Sequence, residues 1–161
     1  MVDGAEGPQA PRAPTQRDLR RIAHELNAHG VRYAVGGGFA MAHHGLARPT
    51  EVIDLLVDPS PENVEAIRRA LSVLEDRAVL EVQPADLQEY VVVRVADEAI
   101  VDLMASACGV SLAEVEADVE TAAVDGEPVR FLSARSLLRT KQTLRPKDVP
   151  DRAHLERILE E

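Results

Sequence analysis

Two acids stand where acids are costly. Asp54 lies within the apolar run VIDLLV, residues 52–57, and Asp102 within AIVDLM, residues 99–104. A carboxylate in a buried strand must be paired or bound to a metal. Strand side chains alternate faces, so Asp102 shares a side with Ile100 and Met104. Ahead of the first acid, behind another apolar run, stand Gly36, Gly37 and Gly38. Glycine lets a backbone turn tightly and approach a ligand closely. Glycine turns and helix N-termini expose unpaired N–H groups that bind phosphate. Two strand acids beside such a turn are the ingredients of a divalent-metal site that handles phosphate.

The stretch VGGGFAMAHHGLARPTEVID, residues 35–54, resembles the polymerase-beta-type nucleotidyltransferase superfamily, above all its small bacterial members, the minimal and toxin–antitoxin-associated transferases. The pattern there is Gly-Gly-x-Ala, a short helix ending His-Gly, then Arg-x-Thr-x-Asp-Ile-Asp and a hydrophobic strand. Gly37, Gly38, Ala40, His44, Gly45, Arg48, Thr50, Ile53, Asp54 and Leu55 match it, and Asp102 falls where a third carboxylate is carried. One position departs: Val52 replaces the first acid of Asp-x-Asp. In LLRTKQTLRPKD, residues 137–148, Lys141, Arg145 and Lys147 match the C-terminal part of the pattern.

The resemblance implies an α+β fold with a mixed β-sheet and helices packed mainly on one face. It implies NTP and Mg²⁺ (or Mn²⁺) as ligands. Asp54 and Asp102 would be the catalytic and metal-holding acids. Gly37, Gly38, Arg48, Thr50, Lys141 and Arg145 would bind the nucleotide. The acceptor is open: a small molecule, RNA or a protein, with a protein partner in a toxin–antitoxin-like pair as a further possibility.

Composition narrows the classes. The net charge of −10 disfavours a phosphate-backbone binder, and an aromatic content of 2% leaves little for base stacking. The single cysteine, Cys108, excludes an intramolecular disulfide, which fits a cytoplasmic setting, and reads as a small buried apolar residue. No run is long enough to cross a membrane. His43 and His44 have no Cys/His ligand pattern around them. His44 reads as a structural residue hydrogen-bonded to the loop that follows it, and His24, His29 and His154 as surface groups.

The elements that must position these residues follow from pattern. Residues 1–14, rich in Pro, Gly and Ala, read as a disordered tail, and residues 15–161 as one domain. Thr15 caps a helix with Leu19, Ile22, Ala23 and Leu26 inward, closed by Gly30. Strands are expected over residues 31–35, 52–57, 90–95 and 99–104, the last two as a hairpin, with a further strand over 78–82. Ser60-Pro61 opens a helix. Ser111 and Glu114 form a capping box. Asp125-Gly126 joins a hairpin whose second arm, holding Pro128, is expected at a sheet edge. Ser133 starts a helix carrying Leu137, Leu138 and Lys141, ended by Pro146, and Asp151 lies near the start of a last one.

Val52 bears on the chemistry. In-line nucleotidyl transfer uses metals to neutralise the triphosphate and activate the attacking oxygen. Asp54 and Asp102 could hold one ion, leaving a second poorly held. Glu51 is adjacent, but in a regular strand it faces the other way. Three readings follow: a weak transferase, a nucleotide-binding protein without catalysis acting as a regulatory partner, or a structural domain whose acids pair with Arg or Lys.

Overall fold

A computed structural model describes residues 12–161; the rest of the expected tail, residues 1–11, lies outside the described residues. Arg12 to Pro14 are not loose. The Arg12 amide donates to the Glu98 carbonyl at 3.2 Å, and its guanidinium grips Asp18 at 2.6 Å. That contact, with the Thr15 cap bonds, holds the Asp18 carboxyl down at about 2.

The core of the fold is a mixed six-stranded sheet. Its strands are β1 (Tyr33–Val35), β2 (Val52–Val57), β3 (Val93–Ala96), β4 (Ile100–Met104), β7 (Glu120–Val124) and β8 (Glu127–Phe131), in the order β3-β4-β2-β1-β8-β7. A two-stranded ribbon, β5 (Ser106–Ala107) with β6 (Val110–Ser111), follows β4. β2 runs parallel to β4 and antiparallel to β1, and β1 meets β8 in parallel. With seven α-helices among the described residues, the class is α+β, as expected.

Alternation divides β2 and β4 into two faces. Ile53, Leu55, Val57, Val101 and Leu103 point one way and are fully buried. Helices α1 (Gln16–Ala28) and α3 (Pro61–Leu71) cover that face with Leu19, Ile22, Leu26, Val64, Ile67 and Leu71. Both helices start on the expected caps, Thr15 and Ser60, with Pro61 in the first turn where its missing N–H is harmless. The other face, bearing Val52, Asp54 and Asp102, looks into a cavity. Its walls come from the start of α2 (Gly37–His43), from residues 48–51 ahead of β2, and from the loop between α6 (Ala134–Arg139) and α7 (Asp148–Leu159).

Several expectations fail for identifiable reasons. Residues 78–81 form a 3-10 turn, not a strand; Val79 and Val82 bury while Leu80 stays exposed. Helix α4 (Asp86–Glu89) follows, and β3 begins only at Val93, leaving Tyr90, Val91 and Val92 exposed. β8 is interior, not an edge. Pro128 is tolerated there because β1 is short and meets β8 only at Val35 and Phe131. Helix α5 (Leu112–Val115) has the predicted capping box. α6 stops at Arg139, so Lys141 lies beyond it, and α7 starts at Asp148 with Pro150 in its first turn. Cys108 is exposed with a φ of 49°, placed by the tight β5–β6 turn.

The hairpin joining β3 to β4 sets which residue faces Asp102. Its turn is fastened by Asp97, which is buried and accepts the amides of Asp76, Ala78 and Glu98 at 2.7–2.9 Å. Asp97→Ala would orphan all three donors. Urea denaturation of this variant is expected to show a loss of at least about 2 kcal/mol. A change within error would mean that water replaces the carboxylate freely.

Candidate nucleotide site

The parallel ladder puts Asp54 directly beside Asp102, so both acids occupy one face of adjacent strands. Antiparallel pairing sets Arg94 of β3 opposite Asp102. The three residues line a cavity of about 510 Å³, with Val52, Thr50, Gly37, Gly38 and Lys147 also on its wall.

Arg94 closes on Asp102 as a fork. Nε lies 2.8 Å from Oδ1 and Nη2 2.9 Å from Oδ2. Such bidentate pairs combine charge with planar fit. The Arg94 side chain is still 56% exposed, against 9% for Asp102. The guanidinium is held more firmly protonated, first by the hydrogen bond and charge of Asp102, then by Asp54 and Glu51. The hairpin was expected, but Arg94 was not singled out: in YVVVRV it reads as the solvent-facing residue of an edge strand.

Asp54 has no such partner. Its backbone carbonyl accepts the Gly36 amide at 2.9 Å, which ties β2 to the turn leaving β1. Its carboxylate packs against Gly37. A Cβ on Gly37 would sit 1.8 Å from Asp54 Oδ2, and the φ of 56° there also requires glycine. Burial and the adjacent Asp102 push the Asp54 carboxyl up to about 6, against the opposing charges of Lys141, Lys147 and Arg145.

The other cations are largely committed. Lys141 is buried, with Nζ 3.0 Å from Asp151 and 3.6 Å from Asp148. Arg48 pairs with the same Asp151, and Arg145 with Asp148 at 2.9 Å. Burial raises both carboxyls, but hydrogen bonds, from Thr143 to Asp148 and from Arg48 and Lys141 to Asp151, together with the neighbouring cations, leave both lowered. So Lys141, Arg48 and Arg145 line the cavity yet serve first to pin α7. Arg145 keeps a side chain 57% exposed, and Lys147 is exposed with no ion pair among the described residues. Thr50 donates to the Val52 carbonyl at 3.0 Å, shaping the entry to β2. Gly38 packs on Thr50: a Cβ there would lie 2.7 Å from Thr50 Cβ, so a bulky residue would disturb the fold as well as the cavity.

Glu51 departs from expectation. β2 begins at Val52, so Glu51 sits in a bend before the ladder and is freed from strand alternation; it lines the cavity. The histidines behave differently from one another. His44 Nε2 bonds the Leu132 carbonyl at 2.8 Å, a structural contact made just past β8 rather than with the loop that follows the histidine. His154 is buried against the His44 carbonyl rather than exposed. Among the described residues, the one group of three His, Cys or acidic side chains gathered within 4.8 Å is His43, His44 and Glu120, away from Asp54 and Asp102.

This donor set does not fit two divalent ions. Val52 offers no oxygen, and Arg94 engages both oxygens of Asp102. Among the described residues, Asp54 and Glu51 are the carboxylates on this cavity without a cationic fork. A single ion joining Asp54 to Asp102 would have to use the lone pairs that the Arg94 fork leaves on Asp102.

No family model matches the chain, and no curated protein matches it. In fold it is similar to the crystal structure of an antigenic nucleotidyltransferase-like protein from Paracoccidioides brasiliensis, at a TM-score of 0.52 and 17% identity, over 89% of this chain and 75% of that one. It is also similar to the structure of a candidate nucleotidyltransferase from Thermotoga maritima, at 0.56 and 18%, over 89% of this chain and 91% of that one. The chain thus has the fold of nucleotidyltransferase-like proteins. No helix among the described residues is long and apolar enough to cross a membrane.

The raised Asp54 carboxyl has a consequence for stability. Its folded value, about 6, lies above the ordinary 3.8. Stability from this group is therefore greatest below about pH 4, declines as the pH rises through 6, and stays low above it. Asp54→Asn removes the penalty. At pH 7.5 the variant is expected to be more stable by up to about 3 kcal/mol, with the gain vanishing near pH 4. Melting curves at both pH values check this. A variant less stable at pH 7.5 would show that the ionised carboxylate holds the fold together.

Proposed function

We propose that this protein binds a nucleoside triphosphate in the cavity over Asp54 and transfers nucleotide weakly or not at all. The observation that carries this reading is the fork of Arg94 on Asp102 beside Val52. Of the three positions that would bear acids, one is apolar and one is already neutralised. The binding half of the reading is supported by the fold, by the glycine turn against Asp54, and by Arg94, Arg145 and Lys147 reaching solvent around one hole in a chain of net charge −10. The triphosphate would lie across these cations, with Gly37 and Gly38 allowing close approach. Arg48, Lys141 and Thr50 would hold the walls.

A second reading, a slow one-ion transferase, is favoured by the pairing of Asp54 with Asp102 in register. Mg²⁺ or Mn²⁺ is commonly held by one or two carboxylates plus phosphates. Bound there, the ion would neutralise triphosphate charge, and NMP would pass to a small molecule, RNA or protein acceptor. On either reading residues 15–161 act as one unit. A toxin–antitoxin-like partner would fit the reading without catalysis.

The test is NMP transfer from labelled NTPs with Mg²⁺ or Mn²⁺ and a broad acceptor pool. Val52→Asp, with Arg94 kept for the triphosphate, returns a carboxylate to the face that bears Asp54. It is expected to raise metal affinity and to raise transfer at least about tenfold over the natural chain, since metal-assisted charge stabilisation is worth several kcal/mol. A natural chain that transfers as fast as the variant would overturn the weak or inactive assignment.

A further inference from the structure

We propose that Arg94, seated on Asp102, is itself the phosphate-recognising cation of this cavity, so that polyphosphate binds without a divalent ion. The inference rests on the nucleotide reading above and specifies how the ligand's charge is met.

Three observations lead to it. First, Asp102 uses only part of the guanidinium. It takes Nε and Nη2, while a guanidinium has five N–H donors. The Nη1 donors and one on Nη2 remain for another acceptor. Second, the group is both fixed and accessible. The fork on Asp102 sets its plane, and the side chain is 56% exposed on the cavity wall. A pre-set guanidinium loses less freedom when it binds an oxyanion than a free side chain does. Third, the other cations fall into two sets. Lys141 and Arg48 are spent on Asp151, whereas Lys147 and Arg145 reach solvent on the same cavity. Arg94 and those two residues would then share the negative charge of a triphosphate.

In this arrangement Asp102 is a positioning residue for Arg94. The guanidinium occupies the role that a metal ion would have between the strand acids and the phosphates. Arg is well suited to it, because its planar donors match phosphate oxygens bidentately.

The experiment is calorimetric titration with inorganic triphosphate and with each of the four NTPs, in EDTA and in Mg²⁺. It compares the natural chain, Arg94→Lys, and the double variant Arg94→Ala with Asp102→Asn. The double variant keeps the net charge of the pair, so loss of binding cannot be assigned to an unmasked Asp102. Melting curves confirm that each variant is folded. The natural chain is expected to bind in EDTA with an affinity within about threefold of that in Mg²⁺. In EDTA the double variant is expected to bind at least about tenfold more weakly, with Arg94→Lys in between, in line with a lost charge-assisted hydrogen-bond pair. Binding that appears only with Mg²⁺ would overturn this proposal and leave the nucleotide reading standing. Equal affinity of the natural chain and the folded double variant in EDTA would overturn it too. No binding of any probe in either condition would overturn both.

Discussion

Two carboxylates side by side on parallel strands are the constraint around which this molecule is arranged. The register that pairs Asp54 with Asp102 is fixed by the apolar face beneath, since a slip of one residue would turn Ile53, Leu55 and Val101 away from α1 and α3. The acids therefore cannot move apart. Their repulsion must be relieved by a proton, a cation or a metal ion. Arg94 relieves Asp102, while Asp54 is left with a carboxyl raised to about 6. Gly37 belongs to the same constraint, because the volume its side chain would fill is already taken by the Asp54 carboxylate.

A second charged network, one layer out, determines what the cavity can offer a ligand. Asp148 and Asp151 are fully buried at the start of α7, and Lys141, Arg48 and Arg145 converge on them. Removing one member of a buried pair leaves an uncompensated charge, so these cations are structural before they are anything else. Arg152 tightens the same corner by donating to the Lys141 and Thr143 carbonyls. The cost to function is that Lys141 cannot leave freely to meet a phosphate. What stays available lies nearer the mouth, on Arg94, Arg145 and Lys147.

The glycines, Asp54 and Asp102 were legible in the sequence because each is an anomaly in its own context: polar residues in apolar strands, and a triple glycine directly behind one. Their convergence was legible too, since alternate positions on paired strands must share a face. Arg94 was not, because an Arg in an edge-strand pattern is normally solvated, and only the register gives it a partner. Asp148 and Asp151 read as ordinary acids of a helix's first turn; nothing local says that they are buried or that Lys141 and Arg48 will reach them. The 3-10 turn at residues 78–81 was hidden for a related reason. A short apolar run specifies burial but not period, and here the tertiary anchors on Asp97 chose the turn. His154 was misread as a surface group because the apolar residues of α7 are not gathered on one side, so the sequence does not show which side faces inward.

Val52 and Arg94 belong together electrostatically. A site with three strand carboxylates would carry more negative charge than one guanidinium balances, leaving the rest to protons or metal ions. With Val52 in place, the charge left is that of two acids, one of them partly protonated near neutrality. One guanidinium then suffices, and the site is satisfied within its own chain. An arriving divalent ion would have to share a 9% exposed carboxylate with a bidentate guanidinium, and the two positive charges would repel. An arriving phosphate faces no such competition. It meets donors that Asp102 has already oriented and displaces only water. The same two residues, Val52 and Arg94, that weaken the case for metal-driven transfer thus strengthen the case for binding the anion directly.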